Sequence, residues 1–105
     1  MKGIRLLTGL AKAMIKVVQT STFKKAVKKL HANQKKDVDI AVKTIMENPL
    51  IGQPKVGDLA GIFVHKFKMV KHFTLLAYTY QEKVVTLTLL ALGSHENFYR
   101  DLKKS

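Results

Sequence analysis

The sequence predicts an α+β domain. A short N-terminal strand leads into a helical hairpin, a three-stranded antiparallel meander completes a four-stranded sheet, and a short C-terminal helix follows. Three observations carry this. Across residues 21–47 apolar side chains recur at helical spacing, and across residues 62–92 they alternate with polar ones in runs rich in β-branched and aromatic residues. Between the two regions, Pro49, Gly52, Pro54, Gly57 and Gly61 punctuate an irregular connection too short to link domains.

Residues 15–19 read as a strand. Phe23, Ala26, Val27 and Leu30 then fall at i, i+3, i+4 and i+7 with Thr20, Ser21 or Thr22 as N-cap, while Lys24, Lys25, Lys28 and Lys29 occupy the opposite face. A turn at Ala32, Asn33 and Gln34 precedes a second helix over residues 36–47, whose apolar stripe is Val38, Ala41, Val42 and Ile45. Asn48 and Pro49 stop it, because proline disfavours helix at the residue before it. Strands are expected at 62–69, 73–80 and 84–92, joined by short turns at 70–72 and 81–83 that require antiparallel neighbours. Alternation puts Phe63, His65, Phe67 and Met69 on one face and Lys66 and Lys68 on the other, with Thr86 and Thr88 opposite Val85, Leu87 and Leu89. One sheet face is therefore core and the other carries lysines and hydroxyls. Residues 94–104 read as a helix capped by Ser94, with His95, Phe98, Tyr99 and Leu102 on one side.

At 105 residues, 47% hydrophobic, the chain suits one domain with a packed core. We place that domain at 14–105, after a basic N-terminal extension over 1–13 that reads as leader-like or as the product of an upstream start. Lys12 and Lys16 interrupt its apolar run, so it is too short for a signal sequence and a cytoplasmic location is expected. Cysteine is absent, which excludes disulfides, thiolate metal sites and thiol nucleophiles. Four scattered histidines and seven carboxylates lack metal-ligand spacing, so neither metal nor cofactor is expected. No apolar run reaches the length needed to cross a bilayer, and no membrane partner is expected.

The strongest compositional fact is charge. Lysine and arginine number 19 against 7 acidic residues, a formal net charge of +12 with a sequence pI of about 10.1. Such a field draws in nucleic acid, an acidic membrane surface or an acidic protein without choosing among them. Only Arg5 and Arg100 are arginines, so point-charge contacts to phosphate are favoured over bidentate reading of bases.

Particular residues sharpen this. The helix opening Thr22-Phe23-Lys24-Lys25-Ala26, the Asn48-Pro49 stop followed by Gly52, and the stretch from Leu59 through Lys68 are followed by Leu75-Leu76-Ala77-Tyr78 and Gly93-Ser94-His95-Glu96-Asn97-Phe98-Tyr99. In this order and spacing the set resembles the RelE/ParE superfamily of bacterial toxins from type II toxin-antitoxin systems. The resemblance implies a RelE-like fold and a metal-independent mRNA endonuclease that works at the ribosome and blocks translation, with an acidic cognate antitoxin as partner. Lys66 and Lys68 match the family's lysine pair beside the scissile phosphate, His95 the basic position after the last strand, and Tyr99 an aromatic four residues later. Lys24, Lys25, Lys28, Lys29, Lys71, His72 and Arg100 are the further RNA contacts expected. Leu75 departs from the pattern, standing where many members carry an arginine. ParE-type relatives instead inhibit DNA gyrase without catalysis, which is the alternative reading.

The chemistry fits these residue types. Cleaving RNA without a metal needs a base for the 2′-hydroxyl, cations for the phosphorane and an acid for the leaving 5′-oxygen. His95 at a helix start lies where N–H groups favour phosphate, and Lys66 and Lys68, two apart, share a strand face. A helix-capping role for His95 and a solvated strand face for the lysines are the plainer readings. His65 reads as a core or edge histidine, His72 as an exposed turn residue, and His31 as bound to the carbonyls ending the first helix. Tyr78 and Tyr80 read as packing residues rather than base-stacking platforms, and Phe98 as core.

Overall fold

The computed structural model describes residues 15–82, 86–94 and 98–99. The elements are β1 (Lys16–Gln19), α1 (Ser21–Lys28), α2 (Ala32–Glu47), β2 (Gln53–Pro54), a 3-10 turn (Gly57–Leu59), β3 (Phe63–Met69), β4 (His72–Gln81) and β5 (Thr86–Gly93). Among the described residues the strands form one five-stranded sheet in the order β1-β5-β4-β3-β2. β1 runs parallel to β5 and the other pairs are antiparallel. The expected four strands thus become five. Gln53 and Pro54 lie beside Val64 and Phe63 at the sheet edge, a position where proline's missing N–H breaks no inner ladder. The expected extension at 1–13 and the turn at Lys83 lie outside the described residues, as does most of the expected terminal helix. Phe98 and Tyr99 are helical, and the Phe98 N–H donates to the Ser94 carbonyl at 3.0 Å.

Thr20 explains where α1 starts and how it is anchored. Its hydroxyl oxygen accepts the Phe23 N–H and itself lies 3.0 and 2.9 Å from the carbonyls of Leu89 and Leu90. Those carbonyls flank an irregularity in β5, because Ala77 pairs with Ala91 while Tyr78 pairs with Leu89. The extra residue, Leu90, is a β-bulge, and it reverses the parity of the strand. Leu87, Leu89 and Leu92 consequently all face the helices.

Two further expectations are corrected. The second helix begins four residues earlier than expected, at Ala32. The Gln34 side chain accepts the His31 N–H at 2.8 Å, so His31 is the N-cap of α2 rather than a group bound to the end of α1. The β3–β4 turn has two residues rather than three, Val70 and Lys71, with φ of +47° and +74°. Asp37 of α2 accepts the Val70 N–H at 2.8 Å.

The core lies between the sheet and the helices. Phe23, Val38, Ala41 and Ile45 meet Leu76, Tyr78, Leu87, Leu89 and Leu92, with Phe63, Phe67 and Met69 packed around them. Each fully buried large side chain contributes about 1.5–3 kcal/mol. The opposite sheet face is more apolar than expected. Val64, Leu75, Ala77, Ala91 and Phe98 form a second cluster there, with Phe98 and Tyr99 packed on that face.

Candidate nucleic-acid interface

β3 pairs with β4 along its whole length and with β2 only at Phe63 and Val64, and its alternation turns Val64, Lys66 and Lys68 away from the helices. Val64 is buried while Lys66 and Lys68 are exposed. Lys66 stands opposite Leu75 of β4, and Lys68 opposite Phe73. Both ammoniums lie over one ring: Lys66 Nζ is 4.5 Å and Lys68 Nζ 5.4 Å from the Phe73 centroid. The ring quadrupole attracts cations and gathers two like charges on one patch. Phe73 was not foreseen as part of the site. Its signal in the sequence was parity, since it lies two residues before Leu75 and so shares the face of the lysines.

Leu75 is buried in the second cluster and pairs on its other side with Gly93 of β5. The row Lys66, Leu75, Gly93 therefore crosses three strands, about 10 Å at ordinary strand spacing. His72, Phe73, Gly93 and Ser94 help to line one open cavity of about 240 Å³. The sheet thus brings the start of the C-terminal segment to the hairpin end that carries Phe73. His95 and Arg100, both predicted site residues, lie outside the described residues.

Tyr99 shares this sheet face but packs with Leu59, Ile62 and Leu90 around the second cluster. Its ring meets Phe98 edge-on at 5.0 Å, and Lys55 Nζ lies 5.6 Å from its centroid. Lys55 was not foreseen, and nothing in the linear pattern links it to Tyr99. Lys71 is exposed in the hairpin turn and His72 is exposed at the start of β4. Lys24, Lys25 and Lys28 lie on α1 and Lys29 is its C-cap, and α1 packs on the other side of the sheet. The structure therefore does not bring these four lysines together with Lys66 and Lys68.

His65 faces the helix side, half-buried, with its ring stacked on Phe67 at 6.0 Å. Burial holds its pKa below the ordinary histidine value. Tyr78 is fully buried as a packing residue, its ring stacked 5.4 Å from Phe63. Burial raises its phenol above the ordinary value, and the Gly52 N–H donated to the oxygen opposes that rise. Tyr80 is half-buried. No group of three or more histidine, cysteine or carboxylate side chains capable of holding a metal ion occurs among the described residues. No helix among them is long and apolar enough to cross a membrane.

Comparison with known proteins gives a family and a fold. A family model described as a ParE-like toxin of type II bacterial toxin-antitoxin systems matches residues 17–103. No curated protein sequence matches the chain. The structure is similar to the free state of an Escherichia coli toxin RelE mutant, at a TM-score of 0.68 and 16% identity over 87% of this chain and 96% of that one. It is similar to the toxin-antitoxin complex RelBE2 of Mycobacterium tuberculosis, at 0.65 and 23% identity over 77% and 98%. It is also similar to the YoeB/ParE toxin of Agrobacterium tumefaciens, at 0.64 and 16% identity over 76% and 98%. At these identities the neighbours show a shared α+β architecture.

Proposed function

This chain belongs to the ParE-like toxins of type II bacterial toxin-antitoxin systems, and we propose that it stops translation as a metal-independent endonuclease of ribosome-bound mRNA. The observation that carries this reading is the pair Lys66 and Lys68, exposed together on one face of β3. Two ammoniums held on a rigid ladder suit the charge that builds on a phosphorane. A base takes the 2′-hydroxyl proton, the 2′-oxygen attacks the neighbouring phosphorus, and the bond to the 5′-oxygen breaks as an acid protonates it. A 2′,3′-cyclic phosphate and a 5′-hydroxyl result. His95 and Tyr99 are assigned the acid and base work on the strength of the resemblance, and the ribosome supplies the orientation that an open site lacks. Lys71, His72, Arg100 and the lysines of α1 are assigned contacts with ribosomal RNA or with an acidic antitoxin, and the location is cytoplasmic.

One observation favours a second reading, that of a non-catalytic inhibitor of DNA gyrase. Opposite Lys66, where many RNA-cleaving relatives carry an arginine, the buried side chain of Leu75 adds no cation. Induced expression separates the two. Under the first reading, protein synthesis stops before DNA synthesis and mRNA is cut within codons on ribosomes. Arrest of replication first, with intact mRNA and inhibited supercoiling by gyrase, overturns it.

A further inference from the structure

We propose that Phe73 is a stacking platform for a nucleobase of single-stranded RNA, with Lys66 and Lys68 holding the phosphates on either side of that base. Phe73 is 58% exposed near the start of β4, beyond the last β4–β5 pair at Leu75 and Gly93, while Thr74, Leu75, Leu76 and Ala77, which follow it, are all buried. Burial does not account for the exposed part of its ring. Its ring is nevertheless organised, with the ammoniums of Lys66 and Lys68 at 4.5 and 5.4 Å. A flat π surface beside two cations matches the two parts of a nucleotide, a base to stack and a phosphate to neutralise.

The platform is rigid for local reasons. Phe73 lies one residue into β4, directly opposite Lys68, and the Val70–Lys71 turn that joins the strands is tied to α2 through Asp37. In the free protein the ammoniums rest over the ring. A bound nucleotide offers each group its better partner, the base taking the ring and the phosphates taking the lysines. Stacking accepts any base, so this interaction fixes the register of the strand without reading its sequence.

The proposal rests on the lysine face being an RNA surface, and the test separates the two ideas. The chain contains no tryptophan, so Phe73→Trp introduces a sole indole at the proposed platform. A short 2′-O-methylated oligoadenylate, which cannot be cleaved, quenches that indole on binding, and an abasic strand with the same number of phosphates binds without quenching. In the otherwise natural chain, Phe73→Leu weakens oligoadenylate binding by roughly 5- to 150-fold, the range for losing one stacked base. The salt dependence of binding keeps its slope, because both lysines still reach their phosphates. Equal quenching by the abasic strand, or unchanged affinity of Phe73→Leu, overturns the platform and leaves the RNA face standing. Unchanged affinity and slope in a Lys66→Gln, Lys68→Gln variant overturns the RNA face itself, and the platform with it. Circular dichroism of each variant establishes that it is folded, and the quenching experiment is independent of the leucine variant.

Discussion

The phenol of Tyr78 occupies the space that a side chain at residue 52 would need. A Cβ on Gly52 would meet the phenolic oxygen at 2.7 Å and the Phe63 Cβ at 3.1 Å. The same oxygen accepts the Gly52 N–H at 2.9 Å and donates to the Pro49 carbonyl at 2.7 Å. One buried hydroxyl thus ties the connection after α2 to the middle of β4, and through it positions β2 beside β3.

Gly52→Ala should destabilise the fold by about 1–3 kcal/mol, since the ring must shift in a packed core. Tyr78→Phe should cost a similar amount, because it leaves the buried Gly52 N–H and Pro49 carbonyl without their partner. Urea unfolding of both variants checks this. The double variant should cost less than the sum, since the two changes act on one contact.

The hairpin turn carries strain that substitution should release. Val70 is β-branched and adopts a φ of +47°, a region in which such residues are outliers. Asn at position 70 with Gly at position 71 suits two successive positive φ values, so Val70→Asn with Lys71→Gly should raise stability by about 1 kcal/mol. Asp37→Ala should lower it by about 0.5–1.5 kcal/mol through loss of the bond to the Val70 N–H. Thermal melts give both signs, and a destabilised Val70→Asn, Lys71→Gly variant contradicts the strain argument.

His65 should make stability depend on pH. Burial lowers its pKa in the folded state, so the unfolded chain binds the proton more readily. Its contribution is complete above the unfolded value of about 6.5 and is lost progressively as pH falls below it. Unfolding free energies measured from pH 8 down to pH 5 should therefore decline. The His65→Gln variant should show a flatter profile over that window.

The lysine pair should affect binding without affecting the fold. Replacing Lys66 and Lys68 by Gln should leave stability within about 0.5 kcal/mol, because both are exposed strand residues. The dependence of RNA affinity on salt should become shallower by roughly 0.7 in log–log slope for each phosphate that no longer meets an ammonium. A salt titration of ribosome or single-stranded RNA binding reads this directly.

Local pattern was enough to determine several features of this chain. The strand at β1, both apolar helix stripes, the Asn48-Pro49 stop and the face of β3 that carries Lys66 and Lys68 follow from periodicity and backbone sterics, which act over a few residues. For the candidate site, spacing alone puts Lys66 and Lys68 on one strand face, while their proposed role and the choice of His95 and Tyr99 came through the resemblance. Other features needed the tertiary structure. The bulge at Leu90 depends on carbonyls met by Thr20, 70 residues away, and it turns Leu92 to the core against strict alternation. Gln53 and Pro54 become a strand because Tyr78 holds the chain before them, and Phe73 gains its two cations from a neighbouring strand. In each case the deciding partner is brought close by packing, and a linear pattern records only what neighbours along the chain impose.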